Sequence, residues 1–251
     1  MNDGLKTHKS HTILLTRPQG QNQELRVLLE QEAAQVYELP TIEIKPLDPP
    51  HLPQSSTNQD YDRVIFISSN AVKFGWSAVD SLISKQTELF AIGKASALEL
   101  IKQSQRPVMY PTNKSDSEAL LDMPEWQRVS GLKVLICRGQ GGREWLKGVL
   151  EERGAQVDYI ECYIRGLPET NLSTLDNAIA SQAVILIMSK ESLNNLWASL
   201  DTLRIDQLKN MIFLVCHERV KEYAKELGIK SIFLTDHSYQ SILKTWRHIT
   251  T

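Results

Sequence analysis

An internal repeat constrains this chain more than any motif in it. Residues 12–43, TILLTRPQGQNQELRVLLEQEAAQVYELPTIE, align without a gap with residues 133–164, KVLICRGQGGREWLKGVLEERGAQVDYIECYI, at an offset of 121 residues, and 10 of the 32 pairs are identical. The identities include Arg17/Arg138, Gly20/Gly141, Leu25/Leu146, Leu29/Leu150 and the run Ala34-Gln35-Val36 over Ala155-Gln156-Val157. Each copy reads strand, Gly-containing loop, helix, strand. Ile13-Leu14-Leu15 and Val134-Leu135-Ile136 are short, wholly apolar runs of the kind covered on both faces of a sheet. Leu25, Leu28, Leu29 and Leu146, Val149, Leu150 recur at i, i+3, i+4, the stripe of a helix packed on a core. These are two βαβ units.

The repeat runs on at similar offsets. Val64-Ile65-Phe66-Ile67 falls on Val184-Ile185-Leu186-Ile187, Ser69 on Ser189, and Trp76 on Trp197. Phe90–Gly93 corresponds to Phe213–Cys216, and Tyr110, Thr112 and Ser115 to Phe233, Thr235 and Ser238. Apolar strands alternating with helical stretches predict a doubly wound α/β fold with two parallel sheets of about four or five strands. With 251 residues, a length at which single cores stop growing, two domains are expected. Pro40–Pro46 and Glu161–Pro168 are alternating, β-branched segments ending in proline at equivalent places in the copies, and they read as a two-stranded connector. The duplication leaves open whether the halves fold in sequence or exchange their first βα units. Asp48–Asp60, rich in proline and hydroxyl residues, reads as a loop.

Composition then removes whole classes of function. Lys and Arg total 28 against 30 Asp and Glu, for a net charge of −2, and hydrophobic residues make up 41%. A polybasic nucleic-acid binder and a disordered chain are both disfavoured. No apolar run approaches the roughly 18–20 residues a membrane span needs, and the polar start lacks the apolar core of a signal peptide, so a cytoplasmic chain is expected. Cys137, Cys162 and Cys216 match neither a metal knuckle nor a disulfide framework, and the six histidines show no paired ligand spacing. No metal is expected. Phosphate-binding P-loop and G-x-S-x-G signatures are absent.

In open parallel sheets, ligands bind beyond the strand carboxyl ends, where helix N-termini present free N–H groups and partial positive charge. The loops expected there carry Arg17, Ser68, Ser69, Asn70, Lys94, Ser96, Arg138, Gly139, Gly141, Gly142, Arg143, Ser189, Lys190 and Arg219. They are small, hydroxyl-bearing or cationic, which suits an anionic ligand; read singly, each also serves as a helix cap or surface charge. Two such domains joined by a hinge are expected to form a cleft. The Gly139-x-Gly141-Gly142 loop falls short of a dinucleotide fingerprint because Glu144 takes the third position, where its carboxylate repels a pyrophosphate. Tyr163, in the connector, is expected to face the cleft and offer a proton or a hydrogen bond; a tyrosine packed on the ladder is the plainer reading.

The segments ILLTRPQGQNQEL, LPTIEIKP, YDRVIFISSNAV, FAIGKASALEL, VLICRGQGGRE, GAQVDYIECYIR and FLVCHERVKEYAKELG span residues 12 to about 244 in order. In them the chain resembles the uroporphyrinogen-III synthase family of gamma-proteobacterial type, most specifically in the RGxGGRE loop with ECYxR downstream. The resemblance implies two flavodoxin-like domains joined by a β connector, with the N-terminal βα unit swapped into the C-terminal domain. On that reading residues 1–40 and 169–251 form one domain, 47–160 the other, and 41–46 and 161–168 the connector.

The resemblance also implies an activity: linear hydroxymethylbilane, supplied by hydroxymethylbilane synthase, loses water and closes to uroporphyrinogen III with ring D inverted, without a cofactor. The family's functional tyrosine falls on Tyr163, implying proton donation to the departing hydroxyl, and its loop hydroxyls fall on Ser96 and Ser68. The chain departs from the family pattern at Ile67, Ser69 and Met188-Ser189-Lys190. A monomer is favoured, with neither nucleic acid nor membrane as partner. The competing class is a non-catalytic two-domain hinge module that closes on an anionic metabolite, which the same fold would serve.

Overall fold

A computed structural model describes residues 11–51, 61–142, 144–169 and 171–250. The contacts divide the described chain into two units, residues up to Glu43 with those from Gly166 onward, and Ile44–Arg165. The first unit contains β1 (Thr12–Leu15), α1 (Gln23–Gln31), β2 (Gln35–Glu38), α6 (Leu172–Ala180), β9 (Val184–Ile187), α7 (Lys190–Ala198), α8 (Thr202–Leu208), β10 (Ile212–Val215), α9 (Glu218–Glu226), β11 (Ser231–Leu234) and α10 (Tyr239–Thr250). The second contains β4 (Arg63–Phe66), α2 (Ser69–Asp80), β5 (Glu88–Ala91), α3 (Lys94–Ser104), β6 (Val108–Met109), α4 (Ser117–Leu121), β7 (Lys133–Gly139) and α5 (Trp145–Glu152). Two strands carry the chain across the boundaries: β3 (Glu43–His51) and β8 (Gln156–Gly166).

The sheet orders make the duplication visible. Unit 1 runs β2-β1-β9-β10-β11 and unit 2 runs β8-β7-β4-β5-β6, with β3 added at the β8 edge. All neighbouring pairs among the ten strands other than β3 are parallel. Both orders are the flavodoxin-like one, with the reversal of strand order between β1 and β9 or between β7 and β4. The exchanged version of the duplication is therefore the one formed: Ile13, Leu14 and Leu15 sit in register with Val184, Ile185 and Leu186. The loops repeat as well. Gly20 and Gly141 are left-handed at φ 80° and 74°, and Ala33 and Gly154, also equivalent, at 58° and 90°.

Each sheet is covered on both faces, because successive strand residues point to opposite sides. In unit 1, Leu14, Ile185 and Phe213 pack with α6, α7 and α9, whereas Ile13, Leu15, Val184 and Leu214 pack with α1 and α10. In unit 2, Val64, Phe66 and Leu135 pack with α2 and α3, and Ile65, Phe90, Val134 and Ile136 with α5, Leu120 and Trp126. No described helix is long and apolar enough to cross a membrane.

One reading of the sequence is borne out here and one needs correction. The two connector strands pair, β3 with β8, at the edge of the six-stranded sheet. Asp48–His51, read as loop, belongs to β3, whose Pro46, Pro49 and Pro50 are tolerated because an edge strand leaves one row of N–H positions unpaired. Residues 52–60 of that predicted loop lie outside the described residues.

Candidate functional site

In unit 2 the site begins at the carboxyl end of β4. Ser68 is extended (φ −167°) and caps α2, its hydroxyl accepting from the Ala71 N–H at 3.0 Å. The same oxygen lies 3.1 Å from the Tyr163 hydroxyl, and either group can donate. The repeat sets Ser69 over Ser189, but the structural equivalents are Ser68 and Ser189. Ser189 caps α7 by accepting from the Ser192 N–H at 3.1 Å. Ser69 instead faces Ser96 across 3.4 Å, on the first turns of α2 and α3, while Asn70 is half-buried and Lys94 exposed.

Tyr163 reaches Ser68 through a bulge. Along β8, Val157 and Tyr159 pack with the α5 face and Ile160 and Cys162 with the α2 face. Simple alternation would send residue 163 back to the α5 face. The register slips between Arg138/Glu161 and Gly139/Tyr163, leaving Cys162 as the extra residue, and the slip turns Tyr163 onto the α2 face, as bulges re-aim side chains. The ring is 3% exposed and stands 6.3 Å from Phe74. Gly139 makes room for the ring: a Cβ there would sit 2.5 Å from the nearest ring carbon. The Gln140 N–H donates to the Tyr163 carbonyl at 2.8 Å, locking loop to strand.

Arg138 is turned inward. It is 4% exposed, donates to Glu144 (2.9 Å) and the Gly142 carbonyl (3.3 Å), and pairs with Glu161 (3.4 Å). Its guanidinium lies 4.0 Å over the Tyr159 ring. It lines a cavity of about 190 Å³ together with Gly142, Trp145 and Tyr159, on the α5 side of the sheet, away from Tyr163. Burial would raise the Glu144 carboxyl, but the Tyr159 and Arg138 groups beside it win and hold it below the usual value. From the sequence Arg138 is expected to be a ligand contact. In the structure its terminal nitrogens are occupied with the loop, so it holds Gly139–Gly142 in shape. Gly141 supplies the left-handed turn. Arg143 lies outside the described residues.

In unit 1, the carboxyl ends of β1 and β9 meet in a buried hydroxyl cluster. Thr16 donates to the Leu186 carbonyl at 2.7 Å and lies 3.0 Å from Ser192, which is 2.7 Å from Thr41. Arg17 donates to the Tyr239 hydroxyl at 3.2 Å. Lys190 lies over the Tyr223 ring at 4.1 Å, and Arg219 sits exposed in the first turn of α9. The described structure thus brings together Ser68 with Tyr163 and Gly139, Ser69 with Ser96, and Arg138 with Gly142. The sequence reading missed the contacts that join Thr16, Thr41 and Ser192, and it missed Tyr239. A signal existed for Tyr239: the repeat pairs Thr112-x-x-Ser115 with Thr235-x-x-Ser238, which marks the segment just before it as a loop at a strand's carboxyl end. Among the described residues no group of side chains is arranged to hold a metal.

These features define a duplicated, doubly wound α/β protein with polar loops at the strand carboxyl ends, where such folds receive their ligands. The family model described as uroporphyrinogen-III synthase HemD matches residues 23–241. The uroporphyrinogen-III synthase of Escherichia coli is 32% identical over 237 residues, covering 90% of this chain and 96% of that protein. The Salmonella typhimurium enzyme is 32% identical over 235 residues, with the same coverage. A crystal structure of a mutant uroporphyrinogen III synthase from Thermus thermophilus superposes with a TM-score of 0.57 at 14% identity, covering 95% of this chain and 98% of that one. The Helicobacter pylori uroporphyrinogen-III synthetase also gives 0.57, at 17% identity, covering 84% and 92%. The chain belongs to the uroporphyrinogen-III synthase family.

Proposed function

We propose that this protein converts hydroxymethylbilane to uroporphyrinogen III with loss of water, in tetrapyrrole biosynthesis. The observation that carries the reading is the family match across residues 23–241, supported by relatives 32% identical over 90% of the chain. The reaction needs no redox change and, on this reading, no cofactor. The bilane's terminal hydroxyl leaves as water once protonated, giving an electron-poor azafulvene. The substituted carbon of ring D attacks it to form a spiro intermediate, which fragments and recloses with ring D inverted; the macrocycle then sheds the proton that balances the one donated.

Within that scheme Tyr163 is the proton donor, and Ser68 its partner. A phenol 3.1 Å from a hydroxyl that already accepts a helix N–H can release a proton outward while the serine donates to the phenolate oxygen, leaving neither oxygen unsatisfied. The small loops around Gly139–Gly142, Ser69, Ser96 and Ser189 offer N–H and O–H groups to the eight carboxylates of the substrate. Because the bilane closes unaided to the uninverted isomer, the protein must hold its conformation. Each tenfold preference for type III needs about 1.4 kcal/mol between competing transition states. Supply by hydroxymethylbilane synthase, a monomeric state and a cytoplasmic setting complete the reading.

The test is to give the purified protein freshly generated hydroxymethylbilane, oxidise the products and separate type I from type III uroporphyrin by chromatography. Predominant type III is expected. Type I at the rate without enzyme would overturn the reading and favour a non-catalytic binder.

A further inference from the structure

Cys162 is the extra residue of the slip in β8. A bulge disrupts the ladder locally, so other contacts must hold it in place. One such contact lies on each side of Tyr163. After it, the Gln140 N–H donates to the Tyr163 carbonyl at 2.8 Å. Before it, the Cys162 thiol donates to the Arg138 carbonyl at 3.2 Å. Successive carbonyls along a strand point to opposite neighbours. That of Cys137 accepts from the Ile67 N–H, just past β4, at 3.2 Å, so that of Arg138 faces β8, where the register slips.

Helix α2 presses on the thiol from above the sheet. Gly75 lies inside α2, where glycine weakens a helix, yet a Cβ there would stand 3.0 Å from the Cys162 sulfur and 2.4 Å from that of Cys137. The missing side chain lets the helix close on both sulfurs, which are buried and 3.6 Å apart. Each thiol has one proton to give. Cys137 has the Ala71 carbonyl of α2 at 3.5 Å, and Cys162 is nearer to Arg138 than to Ala71, which is 3.6 Å away. The two protons thus serve two different carbonyls. Ala71 in turn donates its N–H to Ser68. The helical turn that presents Ser68 and the strand that presents Tyr163 therefore meet at this pair of thiols.

We propose that Cys162 is a positioning residue: its thiol, donating to the Arg138 carbonyl, fixes the slip that carries the Tyr163 hydroxyl to Ser68. The effect on catalysis rests on the function proposed above, whereas the effect on the place of the ring does not. An S–H donor is weak, but here it acts where a shift of one residue decides which face Tyr163 occupies.

The test compares Cys162→Ser with Cys162→Ala, which differ by one hydroxyl. If Cys162 only filled space, alanine would serve at least as well, because a buried hydroxyl without a bond is costly. If its hydrogen bond holds the slip, serine must serve better. Two readings are taken on the full chain: kcat and KM for type III formation, and the ring resonances of Tyr163 in protein labelled with ¹³C-tyrosine, assigned from Tyr163→Phe. The alanine variant is expected to lose roughly tenfold in kcat, as for a slightly displaced proton donor, with KM little changed and the Tyr163 resonances moved. The serine variant should recover most of both. An alanine variant that matches the serine variant in either reading overturns the proposal. The infrared S–H stretch needs only the conservative variant: the band lost in Cys162→Ser should be one lowered by hydrogen bonding, and a lost band at the frequency of a free thiol also overturns it. Should the parent protein make no type III isomer, the reaction is refuted, and the Tyr163 resonances and the S–H band still decide the role of Cys162. Type III formation with equal kcat in the two variants refutes that role and leaves the reaction standing.

Discussion

Replacing Gly139 by alanine sets a methyl group against the ring of Tyr163. The new Cβ would stand 2.5 Å from Cε2 and 2.6 Å from Cζ, whereas carbon contacts settle at about 3.5–4.0 Å. The ring must therefore retreat by roughly 1 Å. Its hydroxyl is 3.1 Å from Ser68, already at the long end of the O–H···O range, so that retreat breaks the bond. Overpacking costs about 1–3 kcal/mol and the lost hydrogen bond about 1 kcal/mol. Together, about 2–4 kcal/mol, they should lower the midpoint of thermal unfolding by roughly 4–16 °C at ~2–4 °C per kcal/mol. A proton donor displaced by about 1 Å loses on the order of 10²-fold in rate. Type III formation from fresh hydroxymethylbilane, with calorimetric unfolding alongside, measures both. Tyr163→Phe keeps the ring and removes the hydroxyl, so it should be similarly slow, and the double variant should be scarcely slower than either single one. A folded Gly139→Ala protein with kcat within about twofold of the parent would refute the role given to Tyr163.

Ser68→Ala removes both the cap of α2 and the partner of Tyr163. A stability loss of about 1 kcal/mol is expected, with a fall in kcat for type III formation that Ser68→Thr restores in part. Arg138→Gln takes a guanidinium away from Glu161, Glu144 and the Gly142 carbonyl. Breaking a pair whose arginine is this buried should cost about 3 kcal/mol, measured by urea unfolding, and should loosen the Gly139–Gly142 loop. The thiols Cys137 and Cys162, 3.6 Å apart and fully buried, should resist Ellman's reagent at pH 8 until the protein is denatured. Burial pushes Cys137 up and Cys216 to about 12. At pH 9 only about one Cys216 in a thousand is then ionised, and fast labelling of native protein would contradict the packing described.

Much of the architecture was legible because it is written twice. The gapless match of 12–43 to 133–164 fixed the βαβ units, and its equivalent glycines, Gly20 and Gly141, adopt the same left-handed turn. What stayed hidden depends on features without a sequence period. The slip at Cys162 reverses the face of Tyr163 against a regular alternation, since one unpaired residue shifts every later side chain. Arg138 reads as an exposed loop cation, and only the fold shows Glu161 and Glu144 claiming it. The prolines of β3 signal a loop until the sheet order places them at an edge.

The exchanged β1 has a consequence for the order in which the chain becomes structured during synthesis. Strand β1 leaves the ribosome long before β9, yet it is an interior strand and that neighbour begins only at Val184. The continuous unit Ile44–Arg165 has all its own partners well before then and is free to condense first, as domains do during translation. Until β9 emerges, the wholly apolar Ile13-Leu14-Leu15 presents an uncovered strand edge, the kind of surface that invites pairing with another chain. A nascent chain that has emerged to about residue 170 therefore holds one finished unit and one sticky orphan, which makes that interval of synthesis the one in which this protein most needs a chaperone.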